Sequence, residues 1–99
     1  MVKSVVIDKD VLGWARDRRR DLLKRYEKIL EVGELVDLPQ RSFDSSVASY
    51  CKKNDCDLLT SDKTAYTHYF EKNIRTVKIN RYGWYEKGDR PVYLIEIVD

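Results

Sequence analysis

The sequence has few of the residues that cross-link a chain, break its regular elements or carry it across a membrane. It holds two cysteines, two prolines, four glycines and one histidine, His68, among 99 residues. Cys51 and Cys56 cannot build a disulfide framework, and a lone C-x4-C pair is not a zinc site. No apolar run approaches the roughly 20 residues of a membrane helix, and charge begins at Lys3, which argues against a signal peptide. We therefore expect one cytoplasmic domain over residues 1–99, with no membrane association.

The composition is globular but rich in charge, and the charge is unevenly placed. Apolar residues make up 42% and charged residues 36%, for a net charge of +2. Residues 1–25 hold eight basic and four acidic side chains, residues 26–62 hold four and eight, and residues 63–99 hold seven and five. Most basic residues of the first segment form a cluster: Arg16, Arg18, Arg19, Arg20, Lys24 and Arg25. Such a cluster attracts the phosphates of RNA, or is a solvated helix face that also carries Asp17 and Asp21.

The pattern predicts alternating strands and helices. Short β-branched or apolar runs predict strands near 2–7, over 34–38 and over 57–60. Helical spacing runs from Leu22 toward Gly33 within a proline-free segment over 11–32, and Gly33 is a natural stop. Ser42 is the expected N-cap of a helix that runs to about Asn54, with Cys51 on its apolar face. A further helix follows Asp62 and is expected to end near Asn73.

The last quarter predicts a hairpin, with strands over 75–82 and 92–98 and a turn at 86–89. Pro91 fits the start of a strand, where its missing N–H does least harm. The whole order predicts an α/β fold of three layers, α/β/α, whose mainly parallel sheet has about four or five strands and ends in this hairpin.

Acidic residues follow three of the predicted strands. Asp8 and Asp10 follow the first, Asp44 opens the helix after the second, and Asp62 follows the third. Function collects beyond the carboxyl ends of parallel strands, and converging carboxylates repel one another unless a cation lies among them. Oxygen ligands suit Mg²⁺ or Mn²⁺, and a hard metal beside a basic surface indicates phosphodiester chemistry. Singly, these residues are also explained as helix caps or as charges that favour a helix dipole.

Three motifs resemble those of PIN domains, in the family's order. Residues 5–12 (VVIDKDVL) resemble the opening strand, residues 43–50 (FDSSVASY) the Asp-x-x-Ile/Val-Ala helix, and residues 58–63 (LLTSDK) the strand end Thr-x-Asp-Lys/Arg. The segment between Asp8 and Asp44 is shorter than in toxin-type members, and Glu27, Glu31 and Glu34 do not match their intervening glutamate by spacing. The chain is therefore most similar to compact, PIN-like members.

This resemblance implies a ribonuclease dependent on Mg²⁺ or Mn²⁺, of the kind found in many toxin–antitoxin pairs. Asp8, Asp44 and Asp62 would then be catalytic metal ligands, with Asp10 as a fourth. Thr60 or Ser61 would orient Asp62 or a water. Contacts to RNA would come from Lys9, Arg16, Arg19, Arg20 and Lys63. An antitoxin, another protein partner or a second copy in a homodimer is a further partner that the family resemblance allows.

Two alternatives stay open. Without a motif-matched glutamate, the chain is also consistent with a catalytically weak or inactive PIN-like module that binds RNA or a protein. Tyr82, Trp84 and Tyr85 near the hairpin fit base stacking, a dimer or partner surface, or ordinary strand packing, and the last is the default.

Overall fold

Three parallel strands form one half of a five-stranded sheet. The computed structural model describes residues 3–39, 41–71 and 77–98. In it, β1 is Ser4–Ile7, β2 is Lys28–Glu31 and β3 is Cys56–Thr60, and β1 lies between the other two. All three run in one direction. Their carboxyl ends therefore share one edge of the sheet, which we call the carboxyl edge.

Two antiparallel strands complete the sheet. β4 is Val77–Tyr85 and β5 is Arg90–Ile97, and the strand order is β2-β1-β3-β5-β4. β5 runs antiparallel to both β3 and β4, so the sheet is mixed, and the expected parallel arrangement holds only for β1, β2 and β3. Thr60, the last residue of β3, lies opposite Tyr93. The turn between β4 and β5 therefore projects at the carboxyl edge.

Hydrophobic cores lie on both faces of the sheet because the strands alternate their side chains. One contains Val6 and Leu58, packed with residues of α3 (Asp44–Asn54) and α4 (Lys63–Glu71). The other contains Val5, Ile7 and Leu59. It is covered by a 3-10 turn at Lys9–Val11 and by two short helices, α1 (Leu12–Asp17) and α2 (Arg19–Leu22).

The prediction of a helix from Leu22 toward Gly33 is wrong. α2 ends at Leu22, and the apolar pair Ile29 and Leu30 lies in β2, where it faces Val5 and Val6 of β1. Parallel pairing with the central strand outweighs local helical spacing here, as tertiary contacts often do. Gly33 does end the segment, but in a turn with φ 102°, where its N–H donates to the Leu38 carbonyl at 2.8 Å.

Two further local predictions need correction. Residues 34–38 form a turn closed by one bridge between Leu35 and Leu38, not a strand, so the second strand precedes Gly33. Phe43, not Ser42, precedes the first turn of α3, since the Ser42 hydroxyl donates backward to the Pro39 carbonyl at 2.6 Å.

Other elements agree with the sequence. β1, β3 and α3 lie where they are expected, β4 and β5 pair as a hairpin, Pro91 is the second residue of β5, and Cys51 is buried. The expected end of the last helix at Asn73 lies outside the described residues, as does the expected strand start at Arg75. Among the residues described, no helix has the length and apolar character needed to cross a membrane.

Candidate functional site

Asp8 follows β1 at the carboxyl edge, and hydrogen-bond donors hold both of its carboxylate oxygens. Its Oδ1 accepts from the Lys9 backbone N–H at 2.8 Å. Its Oδ2 accepts from the Thr60 hydroxyl and from the Tyr66 hydroxyl, each at 2.9 Å. The Asp8 N–H also donates to the Leu59 carbonyl at 2.9 Å, which ties the end of β1 to β3. The carboxylate is thus fixed in position from three elements.

Asp10 lies beside Asp8 and is held by the next residue of the β3 end. Its Oδ2 accepts from the Ser61 hydroxyl and from the Ser61 backbone N–H, the latter at 3.2 Å. Its Oδ1 is buried and accepts no hydrogen bond from the described residues. Burial raises the pKa of Asp10, and the Asp8 charge raises it further, whereas Ser61 and Arg90 act in the opposite direction. A cation at this point would relieve both unfavourable contributions.

Tyr66 connects Asp8 with Asp44. The Tyr66 side chain is 1% exposed, on α4. Burial raises the pKa of its hydroxyl well above the usual range, and the carboxylates of Asp8 and Asp44 raise it further. Asp44 itself is exposed in the first turn of α3. The Tyr66 hydroxyl therefore interacts with two carboxylates that come from distant segments of the chain.

Asp62 has a separate role in the fold. Its Oδ1 accepts from the Ala65 backbone N–H at 3.1 Å, which caps the first turn of α4. Its own N–H donates to the Thr60 hydroxyl at 3.2 Å. The same hydroxyl donates to the Asp8 carboxylate, so Thr60 links Asp62 to Asp8 by hydrogen bonds. The helix-cap explanation of Asp62 thus matches a contact in the structure, while the residue still lies at the carboxyl edge.

The carboxylates fit a hard divalent cation only in part. Within 3–39, 41–71 and 77–98, no three Asp, Glu, Cys or His side chains are grouped closely enough to hold one metal ion together. Asp8 and Asp10 are the adjacent pair, and Asp10 Oδ1 is a buried acceptor without a protein donor in the described chain. Mg²⁺ is commonly held by one or two carboxylates and keeps several waters. Two carboxylates therefore supply part of a Mg²⁺ coordination shell, and waters or substrate oxygens would have to complete it.

The basic residues predicted to contact RNA divide into two groups. Arg16 reaches across to β2, where its guanidinium binds the Glu31 carboxylate at 2.9 Å and lowers the pKa of Glu31. Arg19 and Arg20 are exposed on α2. Lys9 is exposed beside Asp8 at a groove of about 520 Å³ that also includes Arg16 and Glu31.

Lys63 is exposed at the start of α4, and its Nζ lies 4.8 Å from the centre of the Tyr93 ring. It follows Asp62 directly, so its charge lies at the carboxyl edge. The cation–π contact places this charge above the start of β5.

The aromatic residues near the hairpin are less buried than ordinary strand packing predicts. Trp84 is 41% exposed and Tyr82 is 36% exposed, whereas Tyr85 packs half-buried against the core that contains Trp14. Arg81 lies over the Trp84 ring, with its guanidinium carbon 5.2 Å from the ring centre. Packing therefore accounts for Tyr85 and, through an edge contact with Trp14, for Tyr82, whereas Trp84 is exposed and contacts Arg81.

Sequence reasoning missed Tyr66 and Arg90. Tyr66 lies four residues after Asp62, one helical turn along α4, and this spacing is the signal that places its hydroxyl near the carboxyl edge. Arg90 carried no such signal, because its effect on Asp10 depends on how β5 pairs with β3.

Comparison with protein-family models, with curated proteins and with solved structures gives no significant match for this chain.

Proposed function

We propose that this chain is a PIN-like ribonuclease that depends on Mg²⁺ or Mn²⁺ and acts at the carboxyl edge, on a fold with the three-layer plan of that family. The observation that carries the proposal is the pair Asp8 and Asp10, whose carboxylates are adjacent and include a buried oxygen without a protein donor in the described residues. When no cation is bound, the two carboxylates repel each other and the buried oxygen has no partner. A bound cation would remove both unfavourable contributions.

The site residues have distinct roles in this proposal. Asp8 and Asp10 hold the cation, which supplies Lewis acidity toward the phosphate. Thr60, Ser61 and Tyr66 fix the two carboxylates by the hydrogen bonds described above. Such supporting contacts orient ligands and are commonly worth 10- to 100-fold in metal affinity or activity.

The outer residues complete the proposed site. Asp44 and Asp62 lie at the same edge and act through waters, Asp44 next to Tyr66 and Asp62 next to Thr60. Lys9 and Lys63 flank these acids in the sequence, so both place positive charge where the phosphate of RNA would lie. Arg19 and Arg20 add to the positive potential that draws RNA to the surface.

A cleavage assay tests the proposal. Purified protein is incubated with a labelled single-stranded RNA in Mn²⁺, in Mg²⁺ and in EDTA. We expect cleavage in either metal, and we expect Asp8→Asn and Asp10→Asn to reduce it to the level seen in EDTA. Asp37→Asn, the same change in an exposed loop, is the matched control and should cleave like the wild type. Cleavage that persists in both site variants would refute the assignment.

A second candidate is a PIN-like module that binds RNA or a protein without cleaving. It is favoured by the lack, in the described chain, of three ligating side chains grouped around one point. Thermal melting with and without millimolar Mn²⁺ separates the two, because a ligand that binds only the folded state raises the melting temperature. A rise that disappears in Asp10→Asn favours the enzyme, and the lack of any rise favours the module.

A further inference from the structure

The β4–β5 hairpin carries an arginine, Arg90, past the carboxyl edge. Thr60, the last residue of β3, lies opposite Tyr93, so the three residues of β5 that precede Tyr93 extend beyond the end of β3. Arg90 therefore lies roughly 10 Å beyond Thr60 along the strand direction. Asp8 and Asp10 follow β1, the neighbour of β3 on its other side. The arginine and the two carboxylates thus extend from the same edge of the sheet.

Arg90 and Asp10 also lie on the same face of the sheet. Arg90 pairs with Tyr85 across the hairpin, and paired residues of an antiparallel ladder share one face. Tyr85 packs against the core that contains Val11 and Trp14. The 3-10 turn that includes Asp10 covers that same core. The side chain of Arg90 is therefore on the face of the sheet where Asp10 lies.

Close contacts around Tyr85 hold the hairpin turn against the first helix. A Cβ on Gly13 would lie 3.3 Å from Cζ of Tyr85, so this ring packs on the backbone of α1, three residues after Asp10. A Cβ on Gly88 would lie 3.1 Å from Cδ2 of the same ring and 2.9 Å from Nε of Arg90. The ring is thus packed between α1 and the turn that carries Arg90. Burial raises the pKa of Asp10, and the nearby positive charge of Arg90 opposes that rise.

The guanidinium of Arg90 is held at one end, and its other end carries unused donors. Its Nε donates to the Gly88 carbonyl at 3.2 Å, and the side chain is exposed. In the part of the chain that the structure describes, no group accepts from its two Nη nitrogens, and neither Glu86 nor Asp89 of the same turn forms an ion pair with it. A guanidinium oriented in this way matches an anion with two or more oxygens, as a phosphodiester has.

We propose that Arg90 contacts the phosphodiester of RNA and holds it beside the cation of Asp8 and Asp10. The inference rests on the function proposed above, from which it takes RNA as the substrate. The two Nη groups donate to two oxygens of the phosphate, on the side of the site that faces the hairpin. Donors placed in this way also stabilise the negative charge that develops on the phosphate in the transition state, so Arg90 is assigned as a catalytic residue.

Binding is measured in EDTA, so that the result does not depend on cleavage. A fluorescein-labelled 12-nucleotide single-stranded RNA is titrated with protein at several NaCl concentrations, and the anisotropy gives Kd. Each phosphate contact to a single strand contributes about 0.7 to the slope of log Kd against log salt concentration. We expect Arg90→Gln to weaken binding about tenfold at low salt and to lower this slope by about 0.7. Arg90→Lys keeps the charge and should keep the wild-type slope, which also shows that the turn remains folded.

Arg81→Gln is the matched control. Arg81 is an exposed arginine of the same hairpin, and its Nε likewise donates to a carbonyl two residues away, that of Gly83, at 3.2 Å. It pairs with Tyr93, three residues from Arg90 along β5, so its side chain lies on the opposite face of the sheet. The same change there should leave the slope and Kd close to the wild-type values. An unchanged slope in Arg90→Gln, or equal changes in both glutamine variants, overturns the proposal.

Cleavage in Mn²⁺ tests the catalytic part of the assignment. At saturating protein, the single-turnover rate constant should fall about a hundredfold in Arg90→Gln, the effect of losing one donor to the developing charge, and should stay unchanged in Arg81→Gln. Wild-type cleavage with an unchanged rate constant in Arg90→Gln overturns the catalytic assignment.

The two proposals fail separately. A lower slope in Arg90→Gln alone, with no metal-dependent cleavage by any protein, supports the phosphate contact and refutes the nuclease. Cleavage that requires Asp8 and Asp10, with the same slope and rate constant in Arg90→Gln and Arg81→Gln, supports the nuclease and refutes the role of Arg90.

Discussion

The Tyr66 hydroxyl donates a hydrogen bond to Asp8 Oδ2 at 2.9 Å, across 58 residues of sequence. It shares that oxygen with the Thr60 hydroxyl, so α4 and β3 both hold the acid that follows β1. The Asp44 carboxylate, at the start of α3, also raises the pKa of the Tyr66 hydroxyl. One side chain thus joins the segments around Asp8, Asp44 and Thr60.

Removing that hydroxyl should destabilise the fold without disrupting it. In Tyr66→Phe the ring still fills its place in the core, but a hydrogen bond to a charged acceptor is lost, which costs about 1.5–3 kcal/mol in the free energy of unfolding. Urea denaturation followed by circular dichroism measures the loss. Tyr69→Phe, on the same helix and only half-buried, is the control and should change stability by less than about 0.5 kcal/mol. Equal effects of both variants would contradict the specific role of the Asp8 contact.

The raised pKa of Tyr66 also predicts a pH dependence at alkaline pH. The folded state keeps the phenolic proton at a pH where the unfolded chain, with an ordinary value of 10.0, has begun to lose it. The unfolded state then binds fewer protons, so the free energy of unfolding decreases as pH rises through about 10. Tyr66→Phe should show a shallower decrease between about pH 9 and 11, measured by urea denaturation at each pH. Identical slopes would contradict the shift.

A buried ionic network around Asp57, at the edge of the sheet opposite the carboxyl edge, predicts a larger loss of stability. Asp57 is 2% exposed and accepts from Lys3 Nζ at 2.9 Å, from the Tyr26 hydroxyl at 2.8 Å and from the Ile97 N–H at 3.3 Å. Asp57→Ala leaves these donors without their acceptor and should cost about 3–5 kcal/mol. Chemical denaturation measures it, with Asp37→Ala in an exposed loop as the control. A double-mutant cycle with Tyr26→Phe should give a coupling energy above about 0.5 kcal/mol, and additivity would argue against the network.

Several strands and helices could be predicted from the sequence, but only where the local pattern agrees with the tertiary pairing of the element. β3 has five consecutive buried residues and α3 has Val47, Ala48 and Cys51 on one face, so both were predictable. β2 was not, because a four-residue strand made of Ile29 and Leu30 between charges is defined only by its partner β1.

The candidate site shows the same limit. The acids Asp8, Asp10, Asp44 and Asp62 were predicted to meet at one edge. Asp8 and Asp10 follow β1, Asp62 follows β3 and Asp44 opens α3, but within the described residues no three of them are grouped closely enough to hold one metal ion. Which acids are adjacent depends on side-chain donors from Ser61, Thr60 and Tyr66, and composition and spacing do not specify those partners.

The close packing of the Trp14 ring, on α1, against the β4 backbone predicts that Gly83 is intolerant of even one methyl group. Its Cβ would lie 2.6 Å from Cζ2 and 3.1 Å from Cε2 of Trp14, a ring that is 2% exposed and cannot move aside. We expect Gly83→Ala to cost about 1–3 kcal/mol through overpacking. Gly88→Ala is the control, because the nearest atom there is Nε of the flexible Arg90 side chain, at 2.9 Å. Thermal melting should show a lower Tm for Gly83→Ala alone, and equal losses would contradict the close approach.

The raised pKa of Asp10 predicts that this acid destabilises the protein when no cation is bound. Burial favours the neutral form, so above the ordinary value of 3.8 the folded state holds a proton more readily than the unfolded state. The Asp10 contribution to stability is therefore present at acidic pH and is lost as pH rises through the raised pKa. Asp10→Asn should have a higher Tm than the wild type at pH 7 in EDTA, and the difference should shrink toward about pH 4.

Adding Mn²⁺ should reverse that order, because the cation stabilises the ionised carboxylate of the wild type and has less to bind in the amide variant. Thermal melts at pH 7 with and without the metal measure both differences on the same samples. Asp37→Asn should follow the wild type in every condition. If Asp10→Asn were instead less stable by the same amount at every pH, with or without Mn²⁺, the hydrogen bonds from Ser61 would outweigh burial, and Asp10 would be a structural acceptor rather than a metal ligand.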